Sequence, residues 1–168
     1  MIVARVAAFL LLLAGTLYAL HRQVYVPFRC ASAVSAGTEA LTAAERRGTA
    51  ERTRVARDVR NRLHGCERVP PPLQMRTLYA LAEAATALGE HRVAVAYYER
   101  ALAVDRRPEL FFALGIAHLN ALDRGAAIEN LTRACAFDPA RLAEIPYEDV
   151  RAETAARLRA TYGAAWPN

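Results

Sequence analysis

LYALAEAATALGEHRVAVAYYERALAVDR (Leu78 to Arg106) and FFALGIAHLNALDRGAAIENLTRACAFDP (Phe111 to Pro139) are two versions of one pattern, set 33 residues apart. In register, Leu78, Leu81 and Ala82 fall on Phe111, Leu114 and Gly115. Ala94 falls on Ala127, Tyr98 on Leu131, Ala101 on Ala134 and Asp105 on Asp138. Leu78, Leu81, Ala82 and Ala85 recur at helical spacing, Gly89 marks a stop, and Val93, Ala94, Tyr97, Tyr98 and Ala101 resume the period. Each copy therefore reads as a helical hairpin. Units of this length stack into arrays, which generally hold partners instead of converting substrates.

The second copy carries its own punctuation. Pro108 suits a first helical turn, Asp123 is placed to cap the following helix, and Pro139 stops it. Ala82, Ala94, Ala101, Gly115, Ala127 and Ala134 sit where the two helices of a hairpin must approach closely. A larger side chain at any of them is expected to push the pair apart.

Leu81-Ala82 with Ala94, Tyr98 and Ala101, then Leu114-Gly115 with Ala127, Leu131, Ala134 and Asp138-Pro139, resembles the tetratricopeptide repeat family. Its first helix carries a leucine followed by a small residue, and its second an A-x-x-x-apolar-x-x-A run. The resemblance covers about 65 of the 168 residues. It implies an all-α solenoid of two hairpins, 75–107 and 108–141, with partners bound on a concave face made by the first helices. On this chain that face comprises Arg76, Tyr79, Glu83 and Thr86, then Glu109, Phe112, Ile116, Leu119 and Asn120. Family members that grip a carboxylate use lysine, arginine and asparagine there. Tyr79, Glu83, Phe112 and Ile116 do not match that set, so an apolar helix laid in the groove is the expected occupant. It is either foreign or the chain's own C-terminal segment.

The N-terminus speaks as loudly as the repeats. Ile2 to Leu20 holds 19 residues with one charge, Arg5. At about 1.5 Å per residue it spans about 28 Å, close to a bilayer's hydrocarbon core. Tyr18 and Tyr25 are placed for the far interface, and Arg5 can reach the headgroups on the near side. The competing reading is a cleaved signal peptide, for which Leu17-Tyr18-Ala19 is the only plausible small-residue site and Phe28-Arg29-Cys30 is no lipoprotein box. An uncleaved anchor is expected, with residues 2–20 in the bilayer. Arg5 on one side nearly balances His21, Arg22 and Arg29 on the other. A short tail before a long C-terminal domain favours a periplasmic domain on a bacterial inner membrane, and the charge balance leaves the cytoplasmic side open.

All 22 basic residues are arginine, and alanine is abundant, the bias of a GC-rich bacterial coding sequence. The net charge of +5 is unevenly placed. Residues 21–70 carry ten Arg against five acids, whereas residues 71–168 carry eleven against twelve. The repeat region is thus near neutral, which argues against nucleic-acid binding.

Between anchor and repeats, Ser35 to His64 shows one helical stripe of Leu41, Ala44, Gly48, Val55, Val59 and Leu63 amid arginines. It is expected to be one long helix packed on the first repeat, ending at Val69-Pro70-Pro71-Pro72 in a stiff extended connector. Anionic headgroups or an acidic partner are a second reading of the arginines. A break at Gly48 would bring Cys30 and Cys66 together. The expected continuous helix separates them by about 50 Å and leaves both thiols free. Cys135 reads as a small apolar residue inside the last repeat helix.

Two hairpins leave apolar faces uncovered at both ends. After Pro146, Val150, Ala155, Leu158 and Tyr162 form one side of a helix to about Gly163, with Arg151, Glu153, Arg157 and Arg159 facing away, and this helix is expected to close the array. No catalytic constellation stands out. His21, His64, His91 and His118 are scattered, no phosphate loop or haem attachment motif occurs, and no cofactor or metal is expected.

The organisation expected is therefore an anchor (1–22), an arginine-rich linker (23–72), two repeats (73–141), and a capping helix with its tail (142–168). The function expected is non-enzymatic: an accessory subunit that stabilises a bacterial membrane complex through protein partners. A tethered adaptor or assembly factor that captures apolar helical segments of clients is the alternative.

Overall fold

The computed structural model describes residues 2–163. Met1 and residues 164–168, the ends of the expected anchor and tail, lie outside them. The described residues form helices and turns without a strand. In chain order the helices are α1 (Ile2–Leu20), α2 (Val26–Glu45), α3 (Thr49–Leu63), α4 (Leu73–Ala87), α5 (His91–Val104), α6 (Pro108–Asn120), α7 (Arg124–Phe137) and α8 (Glu148–Tyr162).

The helix does not stop where the linker was expected to begin. α1 runs into α2 through a π-helical segment, His21–Tyr25, where the Val26 amide donates to the His21 carbonyl. Pro27 supplies the reason. It has no amide hydrogen for the Gln23 carbonyl and its ring crowds that turn, so the helix widens there instead of stopping. The continuous helix that α1 opens is, from Phe9 onward, long and apolar enough to cross a membrane, and within its most apolar stretch no residue is buried by the rest of the chain.

The expected continuous helix from Ser35 to His64 is not what forms. Gly48 adopts φ 101°, a conformation open to glycine and costly for a side chain, and the chain reverses between α2 and α3. Both arms then pack on α4. Val34 and Leu41 of α2, with Ala56, Val59 and Leu63 of α3, share one cluster with Ala80, Leu81 and Ala84. The reversal also corrects the free-thiol expectation. Cys30 and Cys66 form a disulfide with Cα atoms 5.7 Å apart, and both are almost fully buried. The proline connector is likewise a turn and not an extended strut: the Pro70 carbonyl accepts from the Gln74 amide and the Pro72 carbonyl from the Arg76 amide, so α4 begins directly after Pro72.

The two repeated units form paired helices, α4 with α5 and α6 with α7. Ala82, Ala94, Ala101, Ala127 and Ala134 are fully buried. Gly115 faces α7 so closely that a Cβ there would lie 2.7 Å from the Leu131 Cγ. Asp123 caps α7 by accepting from the Ala126 amide at 3.1 Å. Between the pairs, Leu78, Ala82 and Ala85 meet Leu110, Leu114 and Ala117, with Tyr98 closing the cluster.

After α7 a 3-10 turn, Pro139–Glu144, leads into α8. Val150 and Leu158 of α8 and Ile145 before it bury against Ile128, Leu131 and Cys135. Of the expected stripe, Val150, Ala155 and Leu158 are buried, while Tyr162 is exposed. Arg151, expected to face away, is half-buried with its Nε enclosed. Arg124 at the start of α7 reaches across to Glu153 at 2.9 Å and to Asp149. This pairing holds the Asp149 carboxyl below the usual range.

Candidate functional site

The expected concave face divides into an open part and a covered part. Arg76, Tyr79, Glu83 and Thr86 lie at i, i+3, i+7 and i+10 along α4, hence on one side of it. Arg76 is exposed and the other three are half-buried. The Tyr79 ring stands edge-on to Tyr98, centroids 5.7 Å apart. The Tyr98 hydroxyl, deeply buried, donates to the Glu83 carboxylate. Burial first, and the Glu83 charge second, push the Tyr79 hydroxyl up to about 12 and raise Tyr98 as well. Thr86 donates to the Ala82 carbonyl at 3.0 Å. Glu83 is thus a structural acceptor that ties α5 to α4.

On α6 the chain fills its own groove. Phe112, Ile116 and Leu119 pack against the cluster formed by α7, Ile145 and α8. The Arg141 guanidinium lies over the Phe112 ring, 5.4 Å from its centroid, and pairs with Glu109, Asp138 and Glu144 at 3.4–3.6 Å. Asn120, half-buried, ends α6. An Asp at Phe112 or Ile116 would therefore strip the C-terminal core, and its effect on a partner would be inseparable from unfolding.

What stays open is a cavity of about 240 Å³ where α2, α4 and α6 meet. Val34, Thr38, Met75, Tyr79 and Leu110 give it an apolar wall, and Arg76, Arg107 and Glu109 stand at its edge. Arg76, Tyr79 and Glu109 are brought together here, whereas Glu83, Thr86 and Asn120 are not part of the lining. Val34 and Thr38 escaped the sequence reading because a straight Ser35–His64 helix offers no reason for α2 to lie beside α4. Gly48 is the signal that could have found them.

A second cavity, about 460 Å³, lies on the other side, between α5 and the α6–α7 pair. Phe111 and Leu114 form its apolar part and Glu99, Arg106, Glu129 and Arg133 its charged part. His118 borders it with its Nδ1 3.6 Å from the Asp123 carboxylate. Cys135 is buried, and desolvation raises its thiol to about 11, so it is a packing residue and not a nucleophile. Among the described residues no three His, Cys, Asp or Glu side chains converge as a metal site would require.

Compared with models of known protein families, with curated proteins and with solved structures, the chain matches none. Among the described residues the geometry defines an all-helical protein carrying one helix long and apolar enough to span a membrane.

Proposed function

We propose that the chain is a membrane-tethered, tetratricopeptide-like interaction module that serves as a non-enzymatic accessory subunit of a bacterial membrane complex. The observation that carries this reading is the contrast between the two halves of the array's inner face. Phe112, Ile116 and Leu119 are covered by the chain's own C-terminal segment, while the apolar cavity among α2, α4 and α6 is left free beside charged Arg76 and Arg107. Apolar side chains projecting from a helix or extended segment of another subunit suit that cavity in polarity. Phe9, Leu11, Leu12 and Leu17 of α1 are each more than half exposed, so lipid or a partner's membrane helix must cover them. The Cys30–Cys66 disulfide supports a periplasmic body, since such bonds persist in oxidising compartments.

The test is affinity capture of the intact chain from mild detergent, beside an Arg76→Glu/Arg107→Glu variant. Both residues are exposed, so the core is untouched. A stoichiometric, salt-resistant partner that the charge reversal releases is the expected result. Retention of every partner by the folded variant rejects the groove, and a varied, substoichiometric set of clients would favour a tethered adaptor instead.

A further inference from the structure

The membrane-proximal end of the body holds a third cavity, about 610 Å³, that the interaction groove does not use. Arg22, Gln23, Val26 and Pro27 line it from the helix leaving the membrane, and Gly65, Arg68, Val69 and Pro70 from the turn that follows α3. The disulfide builds it. Cys30 and Cys66 pin the two walls together, and Val26 and Val69 pack against that bond. Arg22 and Arg68 are exposed, and neither has a carboxylate within ion-pair distance among the described residues. The adjacent acid, Glu67, is engaged by Arg100 at 2.7 Å. The lining thus contains two arginines, an amide and no acid.

Depth gives the charge its meaning. α1 ends at Leu20 and continues as helix, so Arg22 to Pro27 extend over about 10 Å beyond the hydrocarbon layer, the level at which headgroups lie. Tyr25 and Phe28 are both more than half exposed at the same level, as interfacial aromatics are. We infer that this crevice binds the phosphodiester of an anionic glycerophospholipid between the guanidinium groups of Arg22 and Arg68. Two guanidinium forks match phosphate oxygens in geometry as well as charge. The absence of a carboxylate in the lining leaves nothing to receive the ammonium of a zwitterionic lipid, which gives the site its selectivity for net negative headgroups.

The inference rests on the tether in the proposed function, and the two are separable. Resistance of the chain to alkaline carbonate extraction tests the anchor alone. The crevice is tested by native mass spectrometry of the full chain in nonionic detergent, titrated with phosphatidylglycerol and, separately, phosphatidylcholine. Phosphatidylglycerol is expected to bind at least tenfold more tightly, and Arg22→Gln/Arg68→Gln to lower that affinity at least tenfold. Arg46→Gln/Arg47→Gln removes the same charge from exposed, unpaired positions at the far end of α2 and is expected to change it less than twofold. Equal binding of the two lipids, or equal loss in both variants, overturns the site. So does displacement of the lipid by millimolar inorganic phosphate, which would make the crevice a site for the free ion. Circular dichroism checks the fold, and Arg68→Gln alone, on an exposed turn, carries the test if the pair does not fold.

Discussion

Replacing Gly115 by alanine isolates the contact on which the second helical pair depends. The new Cβ would lie 2.7 and 2.9 Å from Leu131 Cγ and Cδ2, and 3.2 Å from the Ala127 carbonyl oxygen. Leu131 is fully buried, so its side chain cannot swing aside without displacing the C-terminal cluster. Overpacking of this kind costs about 1–3 kcal/mol. Alanine returns about 1 kcal/mol through its helix propensity, leaving a net loss of about 1 kcal/mol. The sign should invert once the obstructing atoms are gone. Leu131→Ala alone costs about 2–5 kcal/mol, but in that background Gly115→Ala meets neither Cγ nor Cδ2, only the Ala127 carbonyl oxygen at 3.2 Å, and should stabilise by less than about 1 kcal/mol. Gly37 provides a milder reference, its added Cβ meeting Val59 methyls at 3.2 and 3.3 Å. Urea unfolding of the full chain in mild detergent, followed by far-ultraviolet circular dichroism, measures all four corners of the cycle. If Gly115→Ala leaves the parent as stable as before, or acts equally in both backgrounds, close approach of α6 and α7 is not what the glycine serves.

Reduction of Cys30–Cys66 opens a link across 36 positions, worth about 4 kcal/mol in the loop-closure account. A reductant should lower the urea midpoint of the parent and leave a Cys30→Ser/Cys66→Ser variant unmoved; an unchanged parent refutes the pairing. The Cys135 thiol keeps its proton in the fold up to about 11 against an ordinary 9.0. The native state therefore binds more protons than the unfolded chain in that window, and stability contributed by this group is complete below pH 9.0 and lost as pH rises from there through about 11. Cys135→Ala should flatten the decline between pH 9.0 and 10 in a midpoint-versus-pH series, above which Tyr79 and Tyr98 contribute with the same sign.

The repeated units were legible because their signals are local. Asp123, Pro108 and Pro139 punctuate helices by backbone chemistry alone, and the small residues on each seam mark close approach whatever the rest of the chain does. α8 was legible for the same reason, its Val150, Ala155 and Leu158 spacing being preserved in the fold. The reversal at Gly48 was not, because the apolar stripe keeps helical phase on both sides of it. One glycine inside a helix costs only about 1 kcal/mol, so nothing local separates a straight helix from a bent one. The decision is tertiary: Val34 and Leu41 on one arm and Val59 and Leu63 on the other all find cover on Ala80, Leu81 and Ala84, which a straight rod could not arrange. The disulfide, the crevice beside it and the α2 wall of the groove follow from that single turn.

The π-helical passage from α1 into α2 has a mechanical consequence. With helix on both sides and no loop between, the body stands on a mast instead of a leash. Val34 and Thr38, which line the groove, come 14 and 18 positions after Leu20, about 21 and 27 Å along the axis. In the membrane-tethered arrangement we propose, the groove has a set height above the lipid and turns only as the membrane helix turns. A partner of the proposed kind would have to present its segment at that altitude, which favours a neighbour rooted in the same bilayer.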